Sequence, residues 1–396
     1  MVFGFPFRIS FCGLTMSSLR IAFLTDYLST LAGTESSIVT TCELLRQAGD
    51  EIIVFHYCRE GPTHPYWKMI LRDAGVYLVE QPADNFPNGV SAYSFCSTIA
   101  EHLRSWEPHL IHAIPLGTLG LIWTMTDLLS EIPIVGTETS EASPRCFWYD
   151  PKTFKSFARY RAIIAPCEKV RDGIRSFFDY QGKVVVPPHL VPVPEEEMKP
   201  LTPIELENMH RLGSISRLRV EKGPEFMVAT LAMLAQINQK ITLTIYGETP
   251  EIERTRQIAH AFGVEERLYL PGPFNGRSEI DRVVSHHCIF LLSSLFESLP
   301  IALLEVIARG RIVVASNVGG IPELFDSLSA GIVVPSGNPQ SMAEAVSELI
   351  KEPLGLIERG KSGIQRFRER YHVNIVFPRL RQFYMEIARS NNNWSE

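Results

Sequence analysis

Short apolar runs recur along the chain, each closed by a turn bearing glycine, proline or serine and followed by a stretch of helical spacing. In the first half, Leu19–Asp26, Glu51–His56, Val76–Glu80, Leu110–Ala113, Ile132–Thr137 and Ala162–Ala165 read as buried strands, and a helix follows Ala32-Gly33-Thr34-Glu35 through Ala48. The second half repeats the alternation. Its strands are Leu212–Ser216, Ile241–Tyr246, Leu268–Leu270, a run ending at Ser293-Ser294, Arg311–Ser316 and Gly331–Val334. Its helices are Pro224–Ile237, Ile252–Phe262, one opened by Pro300 and stopped by Gly310, one starting near Pro322-Glu323, Met342–Ile350 and Ile375–Arg389. Proline suits the first helical turn and glycine the position after the last. Strand, turn, helix and strand in repetition predict an α/β fold of two Rossmann-like βαβ domains with parallel sheets.

Length agrees with two domains: 396 residues exceed a single ordinary core. The boundary is placed in the Pro- and Glu-rich stretch that begins at Pro187-Pro188, because proline stiffens a linker and removes backbone donors. The expected organisation is an N-terminal extension over 1–18, disordered, then a domain over 19–186, a linker over 187–208, a second domain over 209–374 and a C-terminal helix over 375–396 that crosses back to the first domain.

A net charge of −6 supplies no basic field, so nucleic acid is not an expected partner. The seven cysteines show no CxxC pair and no Cys/His cluster at zinc spacing, which points to a reduced, cytoplasmic protein. No stretch reaches the roughly 18 uninterrupted apolar residues of a membrane span.

Candidate chemistry is concentrated in 291–323. Glu297 and Glu305 interrupt an otherwise apolar run, and buried charge is costly unless something pairs with it. Sugar hydroxyls would do so, since carboxylates accept hydrogen bonds and hydroxyls donate them. A helix cap for Glu297 and an ion pair for Glu305 are the plainer alternatives. Upstream, Ser216-Arg217-Leu218-Arg219-Val220-Glu221-Lys222-Gly223 ends a strand with two cations, Arg217 and Lys222, suited to phosphate oxygens. The double serine, the two glutamates eight residues apart, the VVAS strand and the Gly319-Gly320-Ile321-Pro322-Glu323 turn together resemble the donor-binding signature of the retaining glycosyltransferases of family 4, of GT-B architecture. The 216–223 stretch is similar to that family's G-R-L-x-x-x-K-G element, with Ser216 in place of its first glycine.

The resemblance implies two Rossmann-like domains facing a cleft, and transfer of a sugar, most readily UDP-linked, from a nucleotide diphosphate to an acceptor with retention. Glu297, Arg217 and Lys222 would be the catalytic set. Glu305 would hold the ribose. Leu299, Pro300, Ile301, Gly319 and Gly320 would complete the donor cradle, Gly272 and Pro273 would border the base, and Gly33-Thr34 would lie near the diphosphate in place of the family's Gly-Gly pair. No metal and no cofactor beyond the nucleotide sugar are implied, and no Asp-x-Asp motif is present. The acceptor, whether sugar, lipid or small molecule, is not specified.

Three departures fall on the acceptor side. Thr139 stands where the family has histidine, which directs attention to Glu138. Pro187-Pro188-His189-Leu190 replaces Asn-Gly-Val-Asp. His112 ends a strand where the family often has histidine, although a buried histidine is the competing reading. The basic and aromatic stretch Pro151–Ala162 suggests a phosphorylated acceptor or peripheral contact with a membrane, against a solvated helix packed by its own aromatics. Two rival functions share the architecture: a nucleotide-sugar epimerase and a non-catalytic nucleotide-sugar-binding subunit.

Overall fold

The fold is that of a computed structural model, which describes residues 18–82, 90–125, 129–146, 148–248, 250–274, 276–325 and 330–390. The expected extension 1–18 lies outside the described residues except for Ser18. The chain divides into two compact units. One carries the sequence up to Pro192 together with Val373 onward; the other is Val193–His372.

Among the described residues of the first unit, seven strands form one parallel sheet: Arg20–Thr25 (β1), Glu51–Cys58 (β2), Tyr77–Pro82 (β3), Leu110–Ala113 (β4), Ile134–Thr137 (β5), Ala162–Ile164 (β6) and Lys183–Val185 (β7). Their order is β3-β2-β1-β4-β5-β6-β7. Strands covered by helices on both faces can be apolar throughout, which is why they read as runs rather than alternations. The core gathers Ile21, Phe23, Val54 and Leu110 from the sheet and Ile38, Val39, Leu45 and Trp67 from its helices. The helix Val373–Arg389 adds Val376, Phe377, Leu380 and Tyr384 to the same core. A buried ion pair fixes this helix: Arg381 donates through Nε and Nη2 to the two carboxylate oxygens of Asp50, each at 2.8 Å.

The second unit holds a six-stranded parallel sheet of Arg211–Ile215 (β8), Thr242–Tyr246 (β9), Leu268–Gly272 (β10), Ile289–Leu292 (β11), Ile312–Ser316 (β12) and Gly331–Val334 (β13). The order is β10-β9-β8-β11-β12-β13. In both sheets the winding reverses beside the first strand, between β1 and β4 and between β8 and β11. Ligands of open α/β sheets bind beyond the C-terminal strand ends at such a reversal.

Several local expectations change. The strand expected over Leu268–Leu270 continues as β10 through Gly272, with a register irregularity after Tyr269. Pro300 is the cap of the helix Ile301–Ala308 rather than part of its first turn. The helix expected at Pro322-Glu323 is a single turn, Ile321–Leu324. An 18-residue helix, Pro353–Arg370, occupies sequence that carried no element in the reading above.

Candidate functional site

The reversal between β8 and β11 brings two loops side by side. Ser293 Oγ donates to the carbonyls of Lys222 (3.0 Å) and Gly223 (2.7 Å), and Leu295 N donates to Glu221 O (2.9 Å). These bonds lace the loop after β8 to the loop after β11. Lys222 Nζ then donates to Glu297 Oε1 at 2.6 Å, and Ser294 Oγ donates to the same oxygen at 2.7 Å. The pair is mostly withdrawn from water: Glu297 is 8% exposed and the Lys222 side chain 18%. Arg217, half-buried on the same loop, makes no side-chain hydrogen bond or ion pair among the described residues. One paired and one unpaired cation therefore share this strand end.

The backbone completes the arrangement. The helix Ile301–Ala308 starts behind Pro300 without a side-chain cap, so its first N–H groups and its positive dipole end are not answered by a capping side chain. The Gly319-Gly320 turn presses on the Glu297 loop. Gly320 N donates to Ser298 O at 2.6 Å, and Gly319 has φ +53° with no room for a side chain, since a Cβ there would lie 2.0 Å from Glu297 O. Glu297, Lys222, Arg217, Leu299, Pro300, Ile301, Gly319 and Gly320 thus belong to one loop cluster. Gly272 and Pro273 stand apart at the sheet edge, where Gly272 O accepts from Gly247 N at 3.0 Å.

Both glutamates find partners within the protein, so neither requires a ligand for its pairing. Glu297 already has Lys222 and Ser294, and Glu305 Oε2 accepts from Arg309 four residues along its helix. Arg309 is 3% exposed and also pairs with Glu197 and Asp281, so the ion pair that was the plainer alternative for Glu305 is part of a larger charged cluster. The signal was present: Glu followed by Arg at i+4 is a favourable helical pair.

In the first unit, Gly33 and Thr34 open the helix Gly33–Gln47, which also lacks a side-chain cap. Glu35 lies buried in that first turn, where it already answers the dipole. His112 is buried, as the competing reading had it. It is 2% exposed, with Nε2 2.7 Å from Thr137 Oγ1 and Nδ1 2.9 Å from Tyr384 Oη, and burial holds its pKa down to about 3. Glu138 is likewise withdrawn. It is fully buried, accepting from Ser140 N (2.7 Å), Ser140 Oγ (2.5 Å) and Tyr149 Oη (2.6 Å). Burial pushes its carboxyl up, against the lowering effect of those hydrogen bonds. The carboxylate ties down its own loop and does not reach out of it. Thr139 is half-buried beside it. The aromatics of Pro151–Arg159 pack locally, as the plainer reading had it: Phe154 and Phe157 lie 5.0 Å from Phe178 between ring centroids.

A cavity of about 690 Å³ lined by Trp123, Glu131, Arg159, Arg161, Lys183 and Glu386 opens at the N-terminal ends of β5, β6 and β7. That is the wrong end of a parallel sheet for the expected ligand. No helix among the described residues is long and apolar enough to cross a membrane.

Comparison with known proteins bears on the family and the fold. Residues 204–367 match the family model described as glycosyl transferases group 1, and residues 31–193 match glycosyltransferase family 4. A GDP-mannose-dependent alpha-(1-6)-phosphatidylinositol monomannoside mannosyltransferase of Mycobacterium tuberculosis is 27% identical over 200 residues, 46% of this chain and 51% of that one. An alpha-D-kanosaminyltransferase of Streptomyces kanamyceticus is 27% identical over 174 residues, covering 44% of this chain and 45% of that one. The chain spans about half the length of the curated relatives it matches. Among solved structures, Anabaena HepE in complex with UDP and glucose superposes with a TM-score of 0.76 at 16% identity, over 93% of this chain and all of that one.

Proposed function

Because this chain belongs to the group 1 glycosyltransferases of family 4 and has their GT-B architecture, we propose that it moves a sugar from a nucleotide diphosphate sugar to an acceptor, with retention of anomeric configuration and without a metal ion. The observation that carries the proposal is the Lys222–Glu297 pair at the β8/β11 reversal, with Arg217 unpaired on the same loop.

In the proposed reaction the diphosphate meets Arg217 and Lys222. The Lys222 ammonium has two other hydrogens to donate while Glu297 holds one. As the glycosidic C–O bond breaks, negative charge grows on the departing phosphate oxygen. Fixed cations and the N–H groups of the helix start at Ile301 stabilise that charge more than they stabilise the bound donor. Glu297 accepts from sugar hydroxyls through the oxygen that Lys222 leaves open, and Glu305 offers its second oxygen to the ribose. With Glu297 engaged by Lys222 and Ser294, the retaining step proposed is same-face attack assisted by the leaving phosphate. The incoming acceptor hydroxyl then gives its proton to that phosphate.

The acceptor class stays broad: a sugar, a lipid or a small molecule, with peripheral membrane contact if it is a lipid. The donor is UDP-linked in the first instance, the ligand of the matched HepE structure, with GDP-mannose, named by the mannosyltransferase relative, as its rival. The test is nucleotide release from a panel of UDP-, GDP- and ADP-sugars in EDTA, with Glu297→Ala as control. Release from one donor, lost in the variant, supports metal-free transfer and names the base. Nucleotide-dependent thermal stabilisation without release, in the presence of candidate acceptors, would favour a binding subunit. Release that needs added metal would remove the metal-free claim.

A further inference from the structure

His56 and Cys58 lie two residues apart on β2, so both side chains point to the same face of the sheet. On β3 the residue in register with His56 is Glu80. Their ligand atoms, an imidazole nitrogen, a thiol sulfur and a carboxylate oxygen, all fall within 4.8 Å of one another. His56 is 0% exposed and Cys58 6%. Sequence spacing concealed this group, because zinc ligands on a loop or helix follow longer repeats and the third member comes from a neighbouring strand.

We propose that His56, Cys58 and Glu80 form a binding site for a zinc-class divalent cation. One pair of the three ligand atoms already has tetrahedral spacing. A tetrahedral metal with bonds of about 2.3 Å to sulfur and about 2.05 Å to nitrogen sets those two atoms about 3.6 Å apart. Cys58 Sγ and His56 Nδ1 are 3.6 Å apart. The donor set is borderline-soft, as zinc prefers, and its charges balance: one thiolate, one carboxylate and one neutral imidazole around a dication. Three protein ligands leave a fourth position for water, and the Thr63 hydroxyl, 2.7 Å from His56 Nδ1, would give up that hydrogen bond when the nitrogen takes the metal.

Two of the ligands are in the form that takes a cation, and the thiol is not. Burial holds the His56 pKa down to about 4, so the ring is neutral at physiological pH. Burial pushes the Glu80 carboxyl up, but hydrogen bonds from Lys68 and Thr63 outweigh it and leave the group below its usual value, ionised. Burial raises the Cys58 thiol, so binding must expel its proton: the S–H bond breaks, the sulfur lone pair goes to the metal and the proton goes to water. The group has one internal cation, Lys68, whose Nζ is 2.7 Å from Glu80 Oε2. Its side chain is 43% exposed and can turn to solvent when the metal takes the carboxylate. Among the described residues His56 Nε2 is buried with no hydrogen-bond partner, so the ring is not held by a full complement of protein bonds.

The site would have a structural consequence. The segment after β2 packs on the loop after β1: Ser29 Oγ donates to Gly61 O at 2.7 Å, and His64 N donates to Leu28 O at 2.8 Å. That loop leads directly into Gly33-Thr34. A metal at His56, Cys58 and Glu80 would fix the base of this loop pair without entering the transfer reaction, so a metal-free reaction and a bound structural metal are compatible.

Cobalt(II) titration of the metal-stripped full-length protein tests the proposal. The expected result is saturation at one equivalent with a thiolate-to-cobalt charge-transfer band and the strong visible bands of a tetrahedral ion. Zinc should displace the colour. Cys58→Ser should lose the charge-transfer band, and Glu80→Gln should weaken cobalt binding at least about tenfold. Peptide-mapped alkylation of the wild-type protein covers the case in which Cys58→Ser fails to fold: metal should protect Cys58 and leave Cys96 and Cys146 unchanged. Absence of the band in the wild-type protein, or an identical band in Cys58→Ser, would overturn the proposal. Unchanged affinity in Glu80→Gln would overturn the three-ligand site.

Discussion

The two sheet reversals have one topology and opposite electrostatics. At β8/β11 the loops end in Arg217, Lys222 and Glu297, with one cation unpaired among the described residues and the other two groups joined. At β1/β4 the comparable polar group, His112, is sealed between Thr137 and Tyr384, and Glu138 after β5 is sealed by Ser140 and Tyr149. The difference lies in what covers each end. The helix Val373–Arg389 delivers Tyr384 onto His112, and the loop that follows Glu138 folds Tyr149 over it. A strand-end polar residue becomes a site only where no other element supplies its partners.

The largest effect expected concerns the helix that covers His112. Arg381→Ala should destabilise the first unit by about 3–5 kcal/mol, because Asp50 would remain buried without its partner. Thermal unfolding of the full chain reads this. A midpoint within a degree or two of wild type would mean that the helix is held by apolar packing alone.

Acid should act on the same region. His112 has a folded pKa of about 3 against an ordinary 6.5. Between these values the unfolded chain binds more protons, so stability falls as pH falls. From pH 7 to pH 5 this one histidine should cost about 2 kcal/mol. His112→Asn should show a correspondingly smaller loss over that window in urea titrations. An equal loss in both proteins would mean that His112 does not control the acid sensitivity.

At the open end, Glu305→Ala should weaken nucleotide binding about tenfold by calorimetry, the size expected of one hydrogen bond to a charged group. Unchanged affinity would leave Glu305 only its ion pair with Arg309. The smallest effect is expected from Glu138→Gln, which keeps the shape of a buried group: turnover should stay within about threefold. A hundredfold loss would make Glu138 a substrate contact and undo the contrast between the two ends.

Much of the fold was legible because it follows from local pattern. Leu110–Ala113, Gly331–Val334 and the helix Pro224–Ile237 stand where the apolar runs and Pro/Gly punctuation put them. The helix Pro353–Arg370 was not legible, and it carries three glycines, Gly355, Gly360 and Gly363, that lower helix propensity. Two of them serve close packing instead. A Cβ on Gly360 would lie 2.3 Å from Gly310 O, and one on Gly363 2.5 Å from Ala330 Cβ. The site was half legible. The spacing of Arg217, Lys222, Glu297 and Glu305 marked the right loops, but partners from elsewhere in the chain decide whether a charge is available. Lys222 lies 75 residues from Glu297, and Tyr384 lies 272 from His112. Periodicity carries no information at that range. The same limit hid Glu80 from His56 and Cys58, since strand pairing alone brings them together.

The central claim is that the β8/β11 strand end stabilises a departing nucleotide diphosphate. The most direct measurement is nucleotide release at saturating donor, in EDTA, by wild type and by Lys222→Met, which keeps the apolar stem and removes the charge. The account predicts a loss of about a hundredfold or more in turnover, with a smaller change in donor affinity. Turnover within twofold of wild type would contradict it.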